Sequence, residues 1–416
     1  MRVRIHRGAH EIGGSCVEVE SASGDRLVLD VGAPLVTTEG EEPTIPPVPG
    51  LIEADPALQG VVITHAHQDH WGLVEQALPG VPLYMGEATH RILKEAAFWM
   101  HGLTRVPTGF LGHRRPFDLG AFRITPFLND HSAFDAYSLL VETDGRRLFY
   151  TGDIRGHGRK AGIFEQLLRK PPEDVHVLLT EGTNVRPSEE LATGPTLTED
   201  DVELACAELF KSTPGMVLAM YSVQNIDRMV TLFRAAKRTG RTFVMTLYGA
   251  SIAEATGNPN IPKADWREVR VFVPGWQQHK VKEAGAFGRV DRIKPYRVFE
   301  EELAKDPSRW VVSFSMTMAE RLEKAGCLAG THAVWSMWPG YLEEDRQKAM
   351  LAFLEARGIP LTIEHTSGHA SIVDLQRLAA ALAPARVVPI HSFGGARFGD
   401  LFDGAEQHPD GEWWEV

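Results

Sequence analysis

Three histidines and an aspartate fall within six residues at His65-Ala66-His67-Gln68-Asp69-His70, and this cluster constrains the chain more than any other feature. It follows an apolar run, Gly60-Val61-Val62-Ile63. Consecutive β-branched residues read as a buried strand, so the cluster sits where that strand gives way to a loop. Imidazoles and a carboxylate gathered this closely crowd their lone pairs together. A divalent cation offsets that crowding, and imidazole nitrogen with carboxylate oxygen is a donor set for zinc-type ions. Solvated loop histidines are the plain alternative. For a lone His that alternative is preferred; for this spacing at a strand end it is not.

A chain of 416 residues exceeds one ordinary hydrophobic core, so two domains are expected. Apolar content of 43% and charged content of 24% are those of a globular protein, and no apolar run is long enough to span a bilayer. The basic start, Met1 to Arg7, has no apolar stretch after it, so a signal peptide is not expected. Cys16, Cys206 and Cys327 are far apart, which argues against a thiolate zinc site and a disulfide framework. Cytoplasmic residence without membrane attachment is the expectation. A net charge of −12 excludes a general polyanion binder. Any nucleic acid must enter a locally basic cleft, to which bound divalent metals would add positive field.

Short strands are expected at residues 2–6, 15–20, 26–30, 122–127, 138–142, 147–150 and 175–180, with a loop at 39–49 and a helix at 87–100. After Glu181 the texture changes. Pro187, Gly194 and Pro195 mark a linker over 186–198, and Thr198 with Asp201 resembles a capping box for a helix at 202–210. A strand at 216–220, a helix at 226–238 ending near Gly240 and a strand at 242–247 form a βαβ unit. Further strands at 269–273, 310–314 and 333–337 extend an α/β domain. The last stretch reads as a strand at 361–364, a helix at 374–382 with Ser371 and Asp374 as its box, and a strand at 386–390. The Trp413-Trp414 pair reads as a packed edge.

Four more strand ends carry chemistry-bearing residues: Asn129-Asp130-His131-Ser132, Thr151-Gly152-Asp153, Glu181-Gly182-Thr183-Asn184 and His391. Each is weak alone. Five such loops at the carboxyl ends of strands form a pattern, because α/β sheets place ligand sites there.

With these motifs, and with Thr366-Ser367-Gly368-His369-Ala370 and Pro389-Ile390-His391, the chain resembles the metallo-β-lactamase superfamily, in its β-CASP nuclease branch. It looks most like ribonuclease J and the pre-mRNA 3′-end endonucleases. The resemblance implies an α/β protein with an αββα metallo-β-lactamase domain at 1–185 and 356–416 and an inserted α/β β-CASP domain at 186–355. It implies His65, His67 and His131 on one metal ion, Asp69, His70 and His391 on a second, and Asp153 bridging both. Asp30 matches a carboxylate behind the ligands. Glu181 matches an acidic residue that orients a neighbouring histidine, and His369 a histidine near the scissile phosphate. Asp69, Asp153, Glu181 and His369 are thus the expected catalytic set. Independently of the family, two zinc ions about 4 Å apart can share a hydroxide and lower its pKa toward neutrality for in-line attack on phosphorus. A His with a carboxylate neighbour suits proton delivery to the leaving oxygen. The other reading of His369 is a satisfied core histidine.

Arg155, Arg159 and Lys160 follow Asp153 in a Gly-containing loop that could hold a phosphate backbone or simply be a solvated basic turn. His113-Arg114-Arg115 is a weaker candidate of the same kind. Ser222 could accept a phosphate at a helix N-terminus or cap that helix, and Ser367 completes the substrate-binding set. Trp335 and Trp338 could stack bases, although core positions are the commoner fate. Two departures from ribonuclease J stand out. The sequence stops soon after His391, where that family has a further domain, and Ser313 to Met318 stand where a Gly-Ser-Gln-Gly-type loop is expected. The latter puts a 5′-monophosphate pocket, and 5′-to-3′ exonuclease action with it, in question. The expected function is zinc-dependent phosphodiester hydrolysis of single-stranded nucleic acid, RNA favoured, by an exonuclease or an endonuclease. Two divalent ions are expected, zinc with manganese as the alternative, and a homodimer is the assembly to test. The rival readings are a small-molecule metallo-hydrolase of a lactone, thioester or small phosphodiester, and a binding subunit with residual metal.

Overall fold

Val3 and Ile5 on β1 (Arg2–Arg7), Val17 and Val19 on β2 (Cys16–Glu20), and Leu27 and Leu29 on β3 (Arg26–Leu29) stand two apart, so each pair faces one side of its strand. The register lines them up: Val3 pairs with Val19 and Val19 with Leu27, while Ile5 pairs with Val17 and Val17 with Leu29. β4 (Leu58–Val62), β5 (Leu83–Gly86) and β6 (Gly109–Leu111) extend this sheet on one side, and β19 (Trp413–Glu415) closes the other edge against β1.

A second sheet has the order β18-β11-β10-β9-β8-β7. Its strands are β7 (Phe117–Leu119), β8 (Phe122–Leu128), β9 (Tyr137–Thr143), β10 (Arg146–Tyr150), β11 (Val177–Glu181) and β18 (Arg386–Ile390). Leu139, Leu148, Leu179 and Val388 from this sheet join Val3, Val17 and Leu27 from the first in one buried cluster. The opposite faces are covered by helices. Val28 and Val61 pack with Leu93 of the helix Glu87–Trp99. Phe149 and Leu178 pack with Phe164 and Leu375, from the helices Ala161–Arg169 and Ile372–Leu382. The layer order is therefore αββα. Each fully buried Val or Leu is worth about 1.5–3 kcal/mol, more than a surface ion pair at about 0–1 kcal/mol, so the sandwich rests on these faces.

The computed structural model describes residues 1–35, 42–187 and 196–416. They divide into two compact units. The first is Met1–Lys94, Gly102–Thr196 and Gly368–Val416 and holds both sheets above. The second is Glu95–His101 with Leu197–Ser367. Its sheet runs β14-β13-β15-β12-β16-β17, with β12 (Val217–Met220), β13 (Thr242–Thr246), β14 (Val269–Phe272), β15 (Trp310–Ser313), β16 (His332–Trp335) and β17 (Leu361–Ile363). Every pairing is parallel, and β12 is buried along its whole length, as a strand covered on both faces must be.

Several sequence expectations shift here. β12, the helix Ile226–Arg238 and β13 form the expected crossover, but β15 lies between the two strands. Asn225, not Ser222, caps that helix: its side chain accepts from the Arg228 N–H. Leu247 begins the helix Leu247–Ala255, with Thr246 as cap, rather than ending a strand. The Thr198–Asp201 box starts its helix at Glu199, and Ser371 starts the last one at Ile372. Trp335 is a core residue at 1% exposure, whereas Trp338 is 49% exposed. The expected linker and loop fall partly on 188–195 and 36–41, outside the described residues. No helix among the described residues is long and apolar enough to cross a membrane.

Candidate metal centre

Strand direction gathers the site. β8 and β10 both run antiparallel to β9, and β10, β11 and β18 are mutually parallel, so their carboxyl ends share one edge of the second sheet. Those ends deliver His131, Asp153, Glu181 and His391. From the first sheet, β3 ends at Asp30 and β4 leads into His65 and His67. The one-turn helix Gln68–Trp71 carries Asp69 and His70, and its backbone is tied back by Ser15 N–H to Asp69 O (3.0 Å) and Val31 N–H to His70 O (2.8 Å). A Cβ at Gly32 would run into the Asp69 carbonyl, so only glycine admits this approach. Asp30 (φ 60°) and His391 (φ 54°) adopt left-handed backbone, which non-glycine residues rarely do. They are held there by bonds from their N–H groups to Val62 O (2.9 Å) and Gly8 O (2.7 Å).

Two donor groups result: His65, His67, His131 and Asp153, and Asp69, His70, Asp153 and His391. In each, one nitrogen or oxygen per residue lies within 4.8 Å of the others, and Asp153 belongs to both. The seven side chains singled out from the sequence are thus the ones the first unit brings together.

Hydrogen bonds on the far side of the His65, His70 and His131 rings fix which nitrogen faces inward. His70 Nδ1 donates to Asp30 Oδ2 (2.8 Å), and His131 Nδ1 donates to the Gly368 carbonyl (2.6 Å). His65 Nδ1 lies 3.0 Å from the Thr64 hydroxyl, which donates to Asp30 Oδ2 (2.9 Å). Asp30 also accepts from Thr64 N–H (2.7 Å) and the Tyr150 hydroxyl (2.9 Å), so one buried carboxylate aligns two rings.

The inward atoms provide the fit test for a metal. His65 Nε2, His70 Nε2 and both Asp153 oxygens are buried and without a hydrogen-bond partner. His70 Nε2 stands 3.3 Å from Asp153 Oδ1 and His65 Nε2 stands 3.5 Å from Oδ2, close but unbonded. Native interiors seldom leave such groups unmatched, and bare buried carboxylates less still. Asp30, Asp69, Asp153 and Glu181 are all under 10% exposed. Divalent cations match these donors in both charge and lone-pair direction.

Electrostatics point the same way for His65, His67, His131 and the two carboxylates, and the opposite way for His70. Burial, reinforced by neighbouring imidazoles, holds His65 and His131 well below the ordinary imidazole range, and burial lowers His67. Neutral rings are the ligating form. Burial opposes charge on Asp153 too, yet His70, His391 and His369 outweigh it and keep the carboxyl well below its usual range. Asp69 is likewise lowered against its burial, chiefly by the bond from His391. Burial works against a charged His70, but Asp153 and Asp30 carry it well above the imidazole range.

His369 lies beside this centre, its Nδ1 3.2 Å from Glu181 Oε2 and 3.7 Å from Asp153 Oδ2. Burial disfavours its charge, but Glu181 and Asp153 raise its pKa to about 9. Glu181 Oε1 also accepts from Ile154 N–H (3.2 Å) and Ala370 N–H (3.1 Å), and Asn184 donates to the carbonyls of His369 (3.1 Å) and Ala370 (2.9 Å). His369 is thus a held group facing the donors rather than a core histidine.

The basic loop after Asp153 is not the expected open turn. Arg155 is fully buried, with Nε 3.7 Å from Asp130 Oδ1, so it is an internal strut and not a phosphate contact. Asp130 also accepts from Gly158 N–H (2.6 Å) and Lys160 N–H (3.2 Å), and a Cβ at Gly158 would strike both Asp130 and Arg155. Lys160 Nζ donates to the His131 carbonyl (2.8 Å), and Arg159 is half-buried. Ser222 is exposed at the carboxyl end of β12, and Ser367 is the half-buried last residue of the second unit. Thr64, Asp130, Tyr150 and Thr183 carry no individual role in the sequence reading, although Asp130 and Thr183 stand inside two of its strand-end motifs. Their one signal is position, since each abuts or interrupts a motif.

The sequence pattern described as the Beta-lactamase superfamily domain matches residues 26–232. Ribonuclease J of Helicobacter pylori is 29% identical over 237 residues, which are 53% of this chain and 33% of that protein. Ribonuclease J of Sinorhizobium meliloti is 22% identical over 393 residues, 88% of this chain and 63% of that one. An RNase J-like protein of Methanocaldococcus jannaschii is 23% identical over 326 residues, 72% and 69% of the respective chains. The match therefore spans about a third of the Helicobacter protein's length. The crystal structure of a protein of unknown function from Enterococcus faecalis V583 superposes with a TM-score of 0.80, at 20% identity and 99% coverage of both chains, and shows the same fold.

Proposed function

Because this chain belongs to the metallo-β-lactamase superfamily, in its β-CASP, ribonuclease J-like branch, we propose that it is a metal-dependent nuclease that hydrolyses phosphodiester bonds in single-stranded RNA. The observation that carries this is the set of buried, partnerless lone pairs on His65, His70 and Asp153. His65, His67 and His131 would hold one ion, Asp69, His70 and His391 the other, with Asp153 between them. Five imidazoles among seven donors favour zinc over manganese. Bound divalent cations supply an acidified water and draw charge from the phosphoryl oxygens.

The chain's own residues do the rest. Asp30 and Thr64 hold the His65 and His70 rings in the ligating tautomer. His369, held by Glu181, would deliver a proton from its other ring nitrogen to the leaving oxygen. Arg159 and Lys160 would add positive charge beside the centre of an otherwise acidic chain. The second unit, Glu95–His101 with Leu197–Ser367, would be the β-CASP domain, and Ser222 and Ser367 would be substrate-binding residues.

The test begins with metal per purified chain. The loaded protein is then incubated with end-labelled single-stranded RNA and DNA bearing 5′-phosphate or 5′-hydroxyl, beside Asp153→Ala. Cleavage of RNA lost in the variant supports the proposal. Single-nucleotide products mean an exonuclease and defined internal fragments an endonuclease. A metal-loaded protein that cuts no strand would instead be a hydrolase of small esters, thioesters or phosphodiesters.

A further inference from the structure

We infer that Thr183 is a positioning residue whose hydroxyl fixes the ring tautomers of His391 and His369 together. The inference rests on the metal reading above and deepens it. Thr183 follows Glu181 by two residues, just past the end of β11. Its Oγ1 lies 2.9 Å from His391 Nδ1, 3.1 Å from His369 Nδ1 and 3.3 Å from the His391 carbonyl oxygen. A hydroxyl offers one proton and two lone pairs. Only one arrangement uses all three contacts: the proton goes to the carbonyl, which can only accept, and each lone pair takes an N–H from one ring.

Both rings then carry hydrogen on Nδ1 and present Nε2 to the site. For His391, Nε2 stands 3.0 Å from Asp69 Oδ2 in a hydrogen bond, and both atoms belong to one donor group, so a cation held there would take the place of the Nε2 proton and leave the ring hydrogen on Nδ1. For His369 it leaves Nδ1 shared between Thr183 and Glu181 Oε2. The two rings lie 5.5 Å apart at 27°, nearly stacked, so a single oxygen at their edges can reach both. Thr183 itself is anchored by its N–H, which donates to Glu181 Oε2 (3.2 Å). The dependence is unequal. His369 keeps Glu181 if the hydroxyl is lost, whereas among the described residues His391 Nδ1 then has Asp153 Oδ1 at 4.0 Å, too far for a hydrogen bond. Removing the hydroxyl should therefore loosen one metal position and spare the other, because His65 and His131 take their outer bonds from Thr64 and Gly368.

The test pairs Thr183→Val, which keeps the shape and drops the hydroxyl, with Thr183→Ser, which keeps the hydroxyl. Zinc is titrated into the apo proteins against a chromogenic chelator, and the apo proteins are melted. Thr183→Val should lose about 10- to 100-fold in affinity for one of two ions, the range for outer partners of metal-bound histidines, with the other unchanged. Thr183→Ser should stay within about threefold of wild type at both ions on the same grounds. Equal affinities in wild type and Thr183→Val would overturn the inference, as would equal losses at both ions. If Thr183→Val does not fold, the wild-type protein decides: in zinc-loaded, 15N-histidine-labelled protein the His391 proton must sit on Nδ1, and a proton on Nε2 overturns the inference. A wild-type chain that binds no second ion would sink the metal reading itself. Two ions in wild type with an unaffected Thr183→Val would remove only the role of Thr183.

Discussion

Asp30→Asn isolates the carboxylate behind the metal centre with almost no change in shape. Asp30 is fully buried and accepts from Thr64 N–H, the Thr64 hydroxyl, His70 Nδ1 and the Tyr150 hydroxyl, at 2.7 to 2.9 Å. An amide has one accepting oxygen. If that oxygen stays with Thr64 N–H, the new NH₂ faces the His70 N–H and the Tyr150 O–H. The tyrosine hydroxyl can rotate and accept. The imidazole can accept only by moving its proton to Nε2, the nitrogen that faces Asp153. The flipped amide instead sets NH₂ against the Thr64 N–H, so either orientation leaves two donors opposed. Outer-partner losses of this type weaken metal binding about 10- to 100-fold, or about 1.4–3 kcal/mol. The apo protein should lose about 1–3 kcal/mol from the mismatched buried donor. Zinc competition titrations and urea unfolding of the apo form read the two numbers separately. Zinc affinities equal to wild type in Asp30→Asn would refute the reasoning, because a ring that ligates equally well without Asp30 was not being held by it.

Stripping metal with a chelator should lower the melting temperature, since an ion at 100 times its dissociation constant stabilises by about 3 kcal/mol; an unchanged melt would mean that nothing is bound. Glu18 tests pH dependence away from the site. It is buried, and although burial opposes its charge, His6, Arg4 and Arg26 bring its pKa down from 4.5 to about 2. A depressed carboxylate stabilises the fold above its unfolded pKa and loses that contribution as pH falls toward its folded one. Up to about 3 kcal/mol should thus be present at pH 7 and fade between about pH 4.5 and 2. Urea unfolding should show Glu18→Gln much weaker than wild type at pH 7 and the gap narrowing at pH 3; a gap constant with pH would contradict this. In the second unit Arg228, fully buried, donates to Glu199 (3.1 and 3.2 Å), Ser336 Oγ (2.7 Å) and Ser336 O (2.8 Å). Arg228→Met should cost about 3–5 kcal/mol by stranding Glu199, and adding Glu199→Leu should recover much of that. A double variant no more stable than the single one would show that Glu199 was never the problem.

The centre was more legible in sequence than the scaffold around it, for physical reasons. His65, His67, Asp69 and His70 are too dense to be a solvated loop, and His131, Asp153 and His391 each lie just past the carboxyl end of a strand-like run. Both features are local, so a single sequence displays them. Alternation likewise exposed the pairs Val3 and Ile5 or Val17 and Val19. What escaped depended on neighbours distant in the chain. Arg155 reads as a basic loop residue until Asp130, 25 positions earlier, is seen to bury it. Ser222 and Asn225 are both competent caps, and which one lies at the helix start depends on backbone geometry at the end of β12. The insertion of β15 between β12 and β13, and the membership of Glu95–His101 in the second unit, are matters of long-range packing with no local trace. Thr183 and Tyr150 are ordinary residues in sequence and acquire meaning only from the rings and carboxylates they meet.

Anomalous X-ray scattering at the zinc edge, from crystals of zinc-loaded protein, addresses the central claim most directly. The account predicts two peaks, one among His65, His67 and His131 and one among Asp69, His70 and His391, with Asp153 contacting both. No peak within reach of Asp153, or ions bound only elsewhere, would contradict it.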